Sequence, residues 1–337
     1  MKFLIIRFSS IGDIVLCSPI VRMLKQQVPG AEIHFLSKAA HVDMLQANPH
    51  ISKVHSFKKE LKEVIPQLKK ENFDYVIDLH RNLRSKFVKL NLGKKSFTFD
   101  KLNYEKWMIV NFKIDLLPRA HIVERYLQAV ESFGVKNDGK GLDYFIPEGE
   151  GFDFKNLPTS HQGGYVAFVI GAKHATKQLP VEKLIETCRK ITFPIVLLGG
   201  EDERVTAQTL IDKLDEKIFS AVGETTLHES ASLLQNARVV VSYDTGLMHI
   251  ASAFDKDIVS IWGSTIPEFG MYPYLPENGK GESEIVEVEN LKIRPCSKIG
   301  FDKCPHGHFK CMRLIDEDQI AAAVFRFWKK NSKKAER

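Results

Sequence analysis

The chain has 337 residues, a formal charge of +6 and a hydrophobic content of 44%. That length suits two ordinary domains with buried cores, and a charged content of 27% is typical of a globular protein. No apolar run approaches the roughly 18 residues a membrane helix needs. The apolar start Met1–Ile6 is broken by Arg7 and by Gly12-Asp13, where a signal peptide would stay apolar. The expected location is therefore cytoplasmic. The charge is uneven: residues 53–101 hold thirteen Lys/Arg against six Asp/Glu. Such a stretch suits an acidic acceptor or an anionic membrane face, and no aromatic-basic recognition motif supports nucleic acid.

The expected elements alternate along the chain. Lys2–Phe8 has the pattern of a strand, Ile14–Gln27 of a helix and Glu32–Ser37 of a strand. Leu61–Lys70 looks helical despite Pro66, Phe73–Leu79 is a strand, and helix signals return at His121–Phe133. A Pro- and Gly-rich linker covers residues 147–164. Beyond it come a strand at Tyr165–Ile170, a helix at Val181–Lys190 and a strand at Pro194–Leu198. Helices at Thr206–Leu214 and Leu227–Leu234 follow, then strands at 237–241 and 258–262. Alternation of this kind predicts parallel sheets covered on both faces. Two Rossmann-like βαβ domains are expected, residues 1–155 and 160–315. A last helix, residues 316–330, has an apolar stripe that would either pack on its own domain or cross back to the first. The basic tail Lys329–Lys334 reads as a frayed end or a weak membrane contact.

Several turns fall where a strand ends and a helix begins, which is where parallel sheets bind ligands. The most informative is Asp244-Thr245-Gly246-Leu247-Met248-His249. Its helix N-terminus would favour an anion, Gly246 would let a phosphate reach the backbone, and His249 lies within one turn. As local pattern alone it is also an ordinary N-capped helix. In the turn Ser9-Ser10-Ile11-Gly12-Asp13, Asp13 is a carboxylate suited to remove a proton from a hydroxyl, or simply to cap the helix. The helix dipole would keep it ionised. Lys173, His174, Thr176 and Lys177, after the first strand of the second domain, could hold phosphate oxygens. Gly199-Gly200 followed by Glu201–Glu203 could approach a ribose. Neither Asp255-Lys256-Asp257 nor Asp316-Glu317-Asp318 reads as a metal site. Of five cysteines, Cys17 and Cys188 fall on helices. Cys296, Cys304 and Cys311 cluster with His306 and His308, chemically suited to zinc, but without a C-x₂-C pair. Structural thiols or a redox-sensitive loop are the alternatives.

Together, in order, these residues resemble the bacterial ADP-heptose:lipopolysaccharide heptosyltransferases. The resemblance rests on Arg7–Val15, Asp78-Leu79-His80-Arg81-Asn82-Leu83-Arg84-Ser85, Lys177-Gln178-Leu179-Pro180, Gly199-Gly200-Glu201, Asp244–His249 and Trp262-Gly263-Ser264-Thr265. It implies the α/β GT-B fold, two Rossmann-like domains whose parallel sheets face a central cleft. It also implies inverting, metal-independent transfer of heptose from ADP-heptose to a lipopolysaccharide inner-core acceptor. Asp13 would then be the base. Lys177, Thr176, Glu203, Thr225, Asp244, Thr245, Gly246 and His249 would bind the donor, and Ser10, Gly12, Arg81 and Arg84 the acceptor. No metal and no cofactor would be needed, and a monomer would work in contact with the inner membrane. Competing readings are another sugar-nucleotide enzyme of this fold, such as a UDP-sugar epimerase or a different glycosyltransferase, and a non-catalytic binding protein.

Overall fold

The computed structural model describes residues 1–335, with side chains described through Ser332. Besides other short helices, among them Val42–Gln46 and Ile65–Lys70, the first half contains β1 (Lys2–Ile6), α1 (Ile11–Val15), α2 (Ser18–Gln27), β2 (Glu32–Lys38), β3 (Lys53–Phe57) and β4 (Tyr75–Asp78). It continues with α3 (Leu83–Leu92), β5 (Lys95–Thr98), α4 (Asn103–Phe112) and α5 (Ile122–Leu127). The second half has β6 (Val166–Val169), α6 (Val181–Lys190), β7 (Ile195–Leu198), α7 (Arg204–Leu214), β8 (Ile218–Ser220) and α8 (Leu227–Asn236). After them come β9 (Val239–Tyr243), α9 (Gly246–Ala253), β10 (Ile258–Trp262), β11 (Ser283–Glu287) and α10 (Glu317–Ala335).

All recorded strand pairings are parallel, in a five-stranded sheet of order β3-β2-β1-β4-β5 and a six-stranded sheet of order β11-β10-β9-β6-β7-β8. The central strands β6, β7, β9 and β10 are buried at every position. They have helices on both faces, so they are apolar without alternation. Each sheet reverses its order once, between β1 and β4 in the first and between β6 and β9 in the second. The crevices at those two points are where such sheets hold ligands.

The halves meet along one continuous apolar cluster. It runs from Phe3, Ile5 and Phe35 on the first sheet, through Ile14 and Val15, to Met248, Ile250, Val240 and Val169 on the second. At the centre of the junction α1 packs on α9 with almost no side chain between them. A Cβ at Gly12 would lie 2.7 Å from the His249 ring and 3.2 Å from the Gly246 Cα, and one at Gly246 would lie 3.0 Å from Ile11. Glycine at both positions lets the two helix starts touch.

The chain does cross between the halves, but not with its last helix. The segment after β10 leaves its own sheet and docks on the first half. There Ile122 N donates to Gly270 O at 2.8 Å, Arg125 Nη2 to Phe269 O at 2.7 Å, and His121 Nε2 pairs with Tyr272 O at 2.9 Å. Burial lowers the pKa of His121 to about 3, so its ring is neutral, donating from Nε2 and accepting at Nδ1 from Val123 N. Helix α10 instead packs on the second sheet, burying Ile320, Ala323, Val324 and Phe327 with Val239 and Val259. Of the two expected alternatives, packing on its own domain is the one observed: its stripe matches the apolar face of β9–β11 beside it. The tail is not frayed at Lys330, which pairs with Asp257 at 2.7 Å and Glu282 at 2.9 Å. The side chains of Lys333 and Lys334 lie outside the described residues.

Replacing Gly12 by Ala forces a methyl into the buried His249 ring, with the Gly246 Cα close beside it. Urea unfolding of Gly12→Ala should show a loss of about 1–3 kcal/mol. An unchanged midpoint would mean that α1 and α9 are not held in this contact.

Candidate active site at the domain junction

Asp13 is the third residue of α1, at the carboxyl end of the central strand β1. Its Oδ2 accepts from Ser10 N at 3.1 Å and from Ser10 Oγ at 2.9 Å. Its Oδ1 pairs with Arg7 Nη2 at 2.5 Å. Burial opposes ionisation of Asp13, but the adjacent Arg7 charge and the Ser10 hydrogen bonds outweigh it and bring the pKa to about 2. The guanidinium, not the dipole of a five-residue helix, fixes the charge. Arg7 is itself buried and held by Ser9 O at 2.9 Å, Leu79 O at 2.5 Å and the Tyr126 hydroxyl at 3.0 Å. The carboxylate thus has a rigid counter-ion yet remains partly exposed, its side chain at 22%.

Across the junction, the turns after β6 and β9 meet as the strand order requires. Lys177 Nζ pairs with Asp244 Oδ2 at 2.5 Å, and the Thr265 hydroxyl donates to the same oxygen at 3.1 Å. Thr245 precedes α9 but makes no side-chain cap, so N–H groups of the first turn stay available to an anion. His249 is buried against Gly12 and its Nδ1 has no hydrogen-bond partner among the described residues. Burial, helped by Lys177, lowers its pKa to about 4 against the opposing pull of Asp244 and Asp13. The neutral ring therefore has a free polar atom at the seam.

The other expected donor residues follow along the carboxyl ends of β7 and β8. Glu203 is nearly buried, accepting from Gly200 N and from Gln178 Nε2, both at 2.9 Å. Its carboxylate sits over Gly171 and Gly199 at the strand ends, since a Cβ at Gly171 would lie 2.7 Å from Oε2. Thr225 bonds to Ala221 O at 3.1 Å and to Ser230 Oγ at 2.8 Å. Thr176 differs from the expectation. Its hydroxyl donates to Phe301 O at 3.0 Å and accepts from Phe301 N at 2.8 Å and Ser264 Oγ at 2.9 Å. With its donor and both acceptor sites used, it pins the 296–304 loop and has nothing left for a phosphate.

Of the residues expected to meet an acceptor, Arg81 bonds to Phe99 O at 2.9 Å and Asp100 at 2.8 Å, and Arg84 lies over the rings of Phe8 and Phe57. Sequence reasoning missed the nearer cations. Burial, then the neighbouring Arg125, lowers Lys106 to about 8, while Asp13 pulls the other way. Its Nζ lies 5.6 Å from the centre of the Phe269 ring. Arg125 is buried, with Nε and Nη1 unpartnered among the described residues. Lys101 donates to His80 O at 3.2 Å. Each helix has a single cation beside a glutamate, Glu105-Lys106 in α4 and Glu124-Arg125 in α5, so no local signal singles these out.

Cys296, Cys304 and Cys311 are free thiols. Burial raises Cys311 to about 11, so it is an inert packed thiol rather than a ready ligand. Among the described residues one group brings three ligating atoms within 4.8 Å, namely His34, His55 and Glu71. It sits on β2, β3 and the turn before β4, with Glu71 already paired to Lys53 at 2.5 Å and Lys2 at 3.3 Å. Two ammonium groups occupy the carboxylate that a cation would require.

Two crevices thus face each other, one with an ionised carboxylate and one with a helix start that has no side-chain cap. The family model described as "Glycosyltransferase family 9 (heptosyltransferase)" matches residues 61–292. The chain belongs to that family. Lipopolysaccharide heptosyltransferase 1 of Pseudomonas aeruginosa is 25% identical, covering 88% of this chain and 86% of that protein. Lipooligosaccharide heptosyltransferase 2 of Haemophilus influenzae is 24% identical, over 89% and 93%. The solved E. coli ADP-heptose lps heptosyltransferase II superposes with a TM-score of 0.73 at 18% identity, covering 98% of this chain and all of that one. E. coli heptosyltransferase WaaC with ADP gives 0.66 at 21% identity, with 98% and 100% covered. This glycosyltransferase therefore has the two-domain GT-B fold.

Thr176→Val would leave Phe301 N and Ser264 Oγ without their partner. Denaturation should show about 1–3 kcal/mol of lost stability, with nucleotide affinity changed less than about twofold. A larger loss of nucleotide affinity than of stability would return Thr176 to the phosphate site.

Proposed function

We propose that the enzyme transfers heptose, with inversion, from ADP-heptose to a lipopolysaccharide inner-core acceptor, as a monomer at the cytoplasmic face of the inner membrane. The supporting observation is the placement of Asp13, held ionised by Arg7, directly across the Gly12–His249 contact from the Lys177–Asp244 turn. Relatives named as lipopolysaccharide and lipooligosaccharide heptosyltransferases support the transfer of heptose.

In the reaction an acceptor hydroxyl oxygen bonds to the anomeric carbon of the donor as the bond from that carbon to the diphosphate oxygen breaks. The hydroxyl proton passes to Asp13 and the electron pair leaves with ADP. A neutral sugar hydroxyl is too weak an acid for a carboxylate with a pKa of about 2. The same oxygen becomes a strong acid once it has begun to bond to carbon, so the proton moves late. The main task of Asp13 before that is electrostatic, holding negative charge opposite the leaving group while the sugar becomes cationic. The diphosphate gains charge as it leaves. Lys177, the first-turn N–H groups of α9 and neutral His249 are fixed where that charge appears, which lowers the barrier. A lysine and a helix start supply what a divalent cation supplies elsewhere, so the transfer needs no metal. Glu203 and Thr225 line the nucleoside end. Lys101, Lys106, Arg125, Arg81 and Arg84 offer positive charge to an anionic acceptor, and closure at the glycine contact keeps water from competing.

Asp13→Asn keeps the shape but removes the base, and transfer should fall by about 10²–10⁴-fold with ADP affinity nearly intact. Activity within tenfold of the parent would remove Asp13 from the mechanism. The pH dependence follows from the same charges. Asp13 at about 2 and His249 at about 4 are both deprotonated above pH 5, so neither gives an acid limb in kcat/KM between pH 5 and 8. The depressed pKa of Asp13 also adds stability that is complete above its unfolded value of ~3.9 and lost as pH falls through about 2. Lys106 loses its charge as pH rises through about 8, so KM for the acceptor should rise there while donor KM holds. A donor KM that rises in parallel would place Lys106 on the other substrate.

A further inference from the structure

Two helices of the first domain bury almost none of their apolar residues. In α3 the only buried positions are Ser85 and Val88, whereas Leu83 is 85% exposed, Leu90 72% and Phe87 37%. These three fall at i, i+4 and i+7 on one face. In α4 only Ile109 is buried, and Tyr104, Trp107 and Phe112 are 61%, 45% and 56% exposed. Trp107 packs against both, 6.4 Å from Tyr104 and 5.0 Å from Phe112 between ring centres, which makes a surface aromatic ridge. The helices start at the same rim of the cleft. Arg81, just before α3, bonds to Phe99 and Asp100, and Lys101, just before α4, donates to His80 O.

The charge around α3 has one sign, whereas α4 carries Glu105 beside Lys106. Residues 79–99 contain six Lys/Arg and no Asp or Glu. A groove beside α3 is lined by Leu83 and Leu90 together with Lys86 and Lys94. Exposed leucines between lysines, next to a Tyr/Trp ridge, are the composition of an element that lies in a lipid headgroup layer, apolar groups at the acyl boundary and cations on the phosphates. A protein partner of ordinary polarity would not need every charge along α3 to be positive.

We propose that the outer faces of α3 and α4 form a membrane-docking surface that takes an anionic phospholipid bilayer. Docked this way, the rim at Arg81 opens toward the lipid and the donor cleft stays in water. The proposal deepens the functional reading by naming how a lipid-linked acceptor is met. It stands on the two helices, so it can fail while the activity remains.

The test is co-sedimentation of the full chain with vesicles of phosphatidylethanolamine and phosphatidylglycerol, against phosphatidylcholine vesicles. It compares the parent with Leu83→Ser/Leu90→Ser and Trp107→Ser/Phe112→Ser, substitutions at exposed positions that leave the core untouched. ADP release from ADP-heptose with an acyl-free, water-soluble inner-core acceptor is measured on the same proteins. The parent should bind the anionic vesicles at least tenfold better than the neutral ones. Each pair should lower that partition about tenfold while soluble turnover stays within twofold. Equal binding to both vesicle types, no binding, or undiminished binding by both pairs would overturn the proposal. So would concentration-dependent self-association of the parent, abolished by the same substitutions, without vesicle binding. Loss of soluble turnover in the parent would instead refute the functional reading and leave the vesicle result standing.

Discussion

The contact of Gly12 with Gly246 and the His249 ring is the constraint on which the rest depends. Each glycine opens a helix at the carboxyl end of a strand next to the crevice of its own sheet. Because neither has a side chain, the two crevices can be brought face to face at van der Waals distance. Everything of chemical interest then lies within a turn of that contact: the carboxylate one residue beyond Gly12, the imidazole three beyond Gly246, and the Lys177–Asp244 pair beside them. Two separate α/β domains supply half a site each, and the glycine contact makes one site of them.

Electrostatics divide the labour between the halves. On the first domain a buried arginine keeps Asp13 ionised at a cost in basicity, which suits a step in which the proton leaves late. On the second, a lysine and an uncapped helix start await an anion. The neutral histidine between them carries no charge to compete with either. The cationic groups behind Asp13 extend the positive region outward, to the rim from which α3 and α4 depart.

The buried strands were legible in the sequence and the edge strands were not. β1, β4, β6, β7, β9 and β10 are central and largely apolar, while β2 sets Ile33, Phe35 and Leu36 among the polar Glu32, His34, Ser37 and Lys38. β3, β5, β8 and β11 are the four sheet edges. Lys53-Val54-His55-Ser56-Phe57 and Lys95-Ser96-Phe97-Thr98 are polar because one side meets water, and nothing in their pattern separates them from loops. α3 and α4 escaped notice for the opposite reason, their apolar residues facing outward where no core periodicity forms. The candidate site was legible where a residue stands in the turn after a strand, as Asp13, Lys177 and Asp244 do. Arg7 was hidden inside a strand-like run, and Lys106 and Arg125 reach the junction only through tertiary packing. Thr176 stood in the right loop, but the fold spends its hydroxyl on the 296–304 segment, which lies more than a hundred residues away in the chain.

The central claim is that base and donor grip form one acceptor-dependent glycosyl-transfer site. It is tested most directly by nucleotide release from ADP-heptose, run beside UDP- and GDP-sugars, with and without a Kdo-bearing lipid A acceptor. The account predicts release of ADP alone, and only when the acceptor is present. Turnover of a UDP-sugar without acceptor, or no turnover of any donor with it, would contradict it.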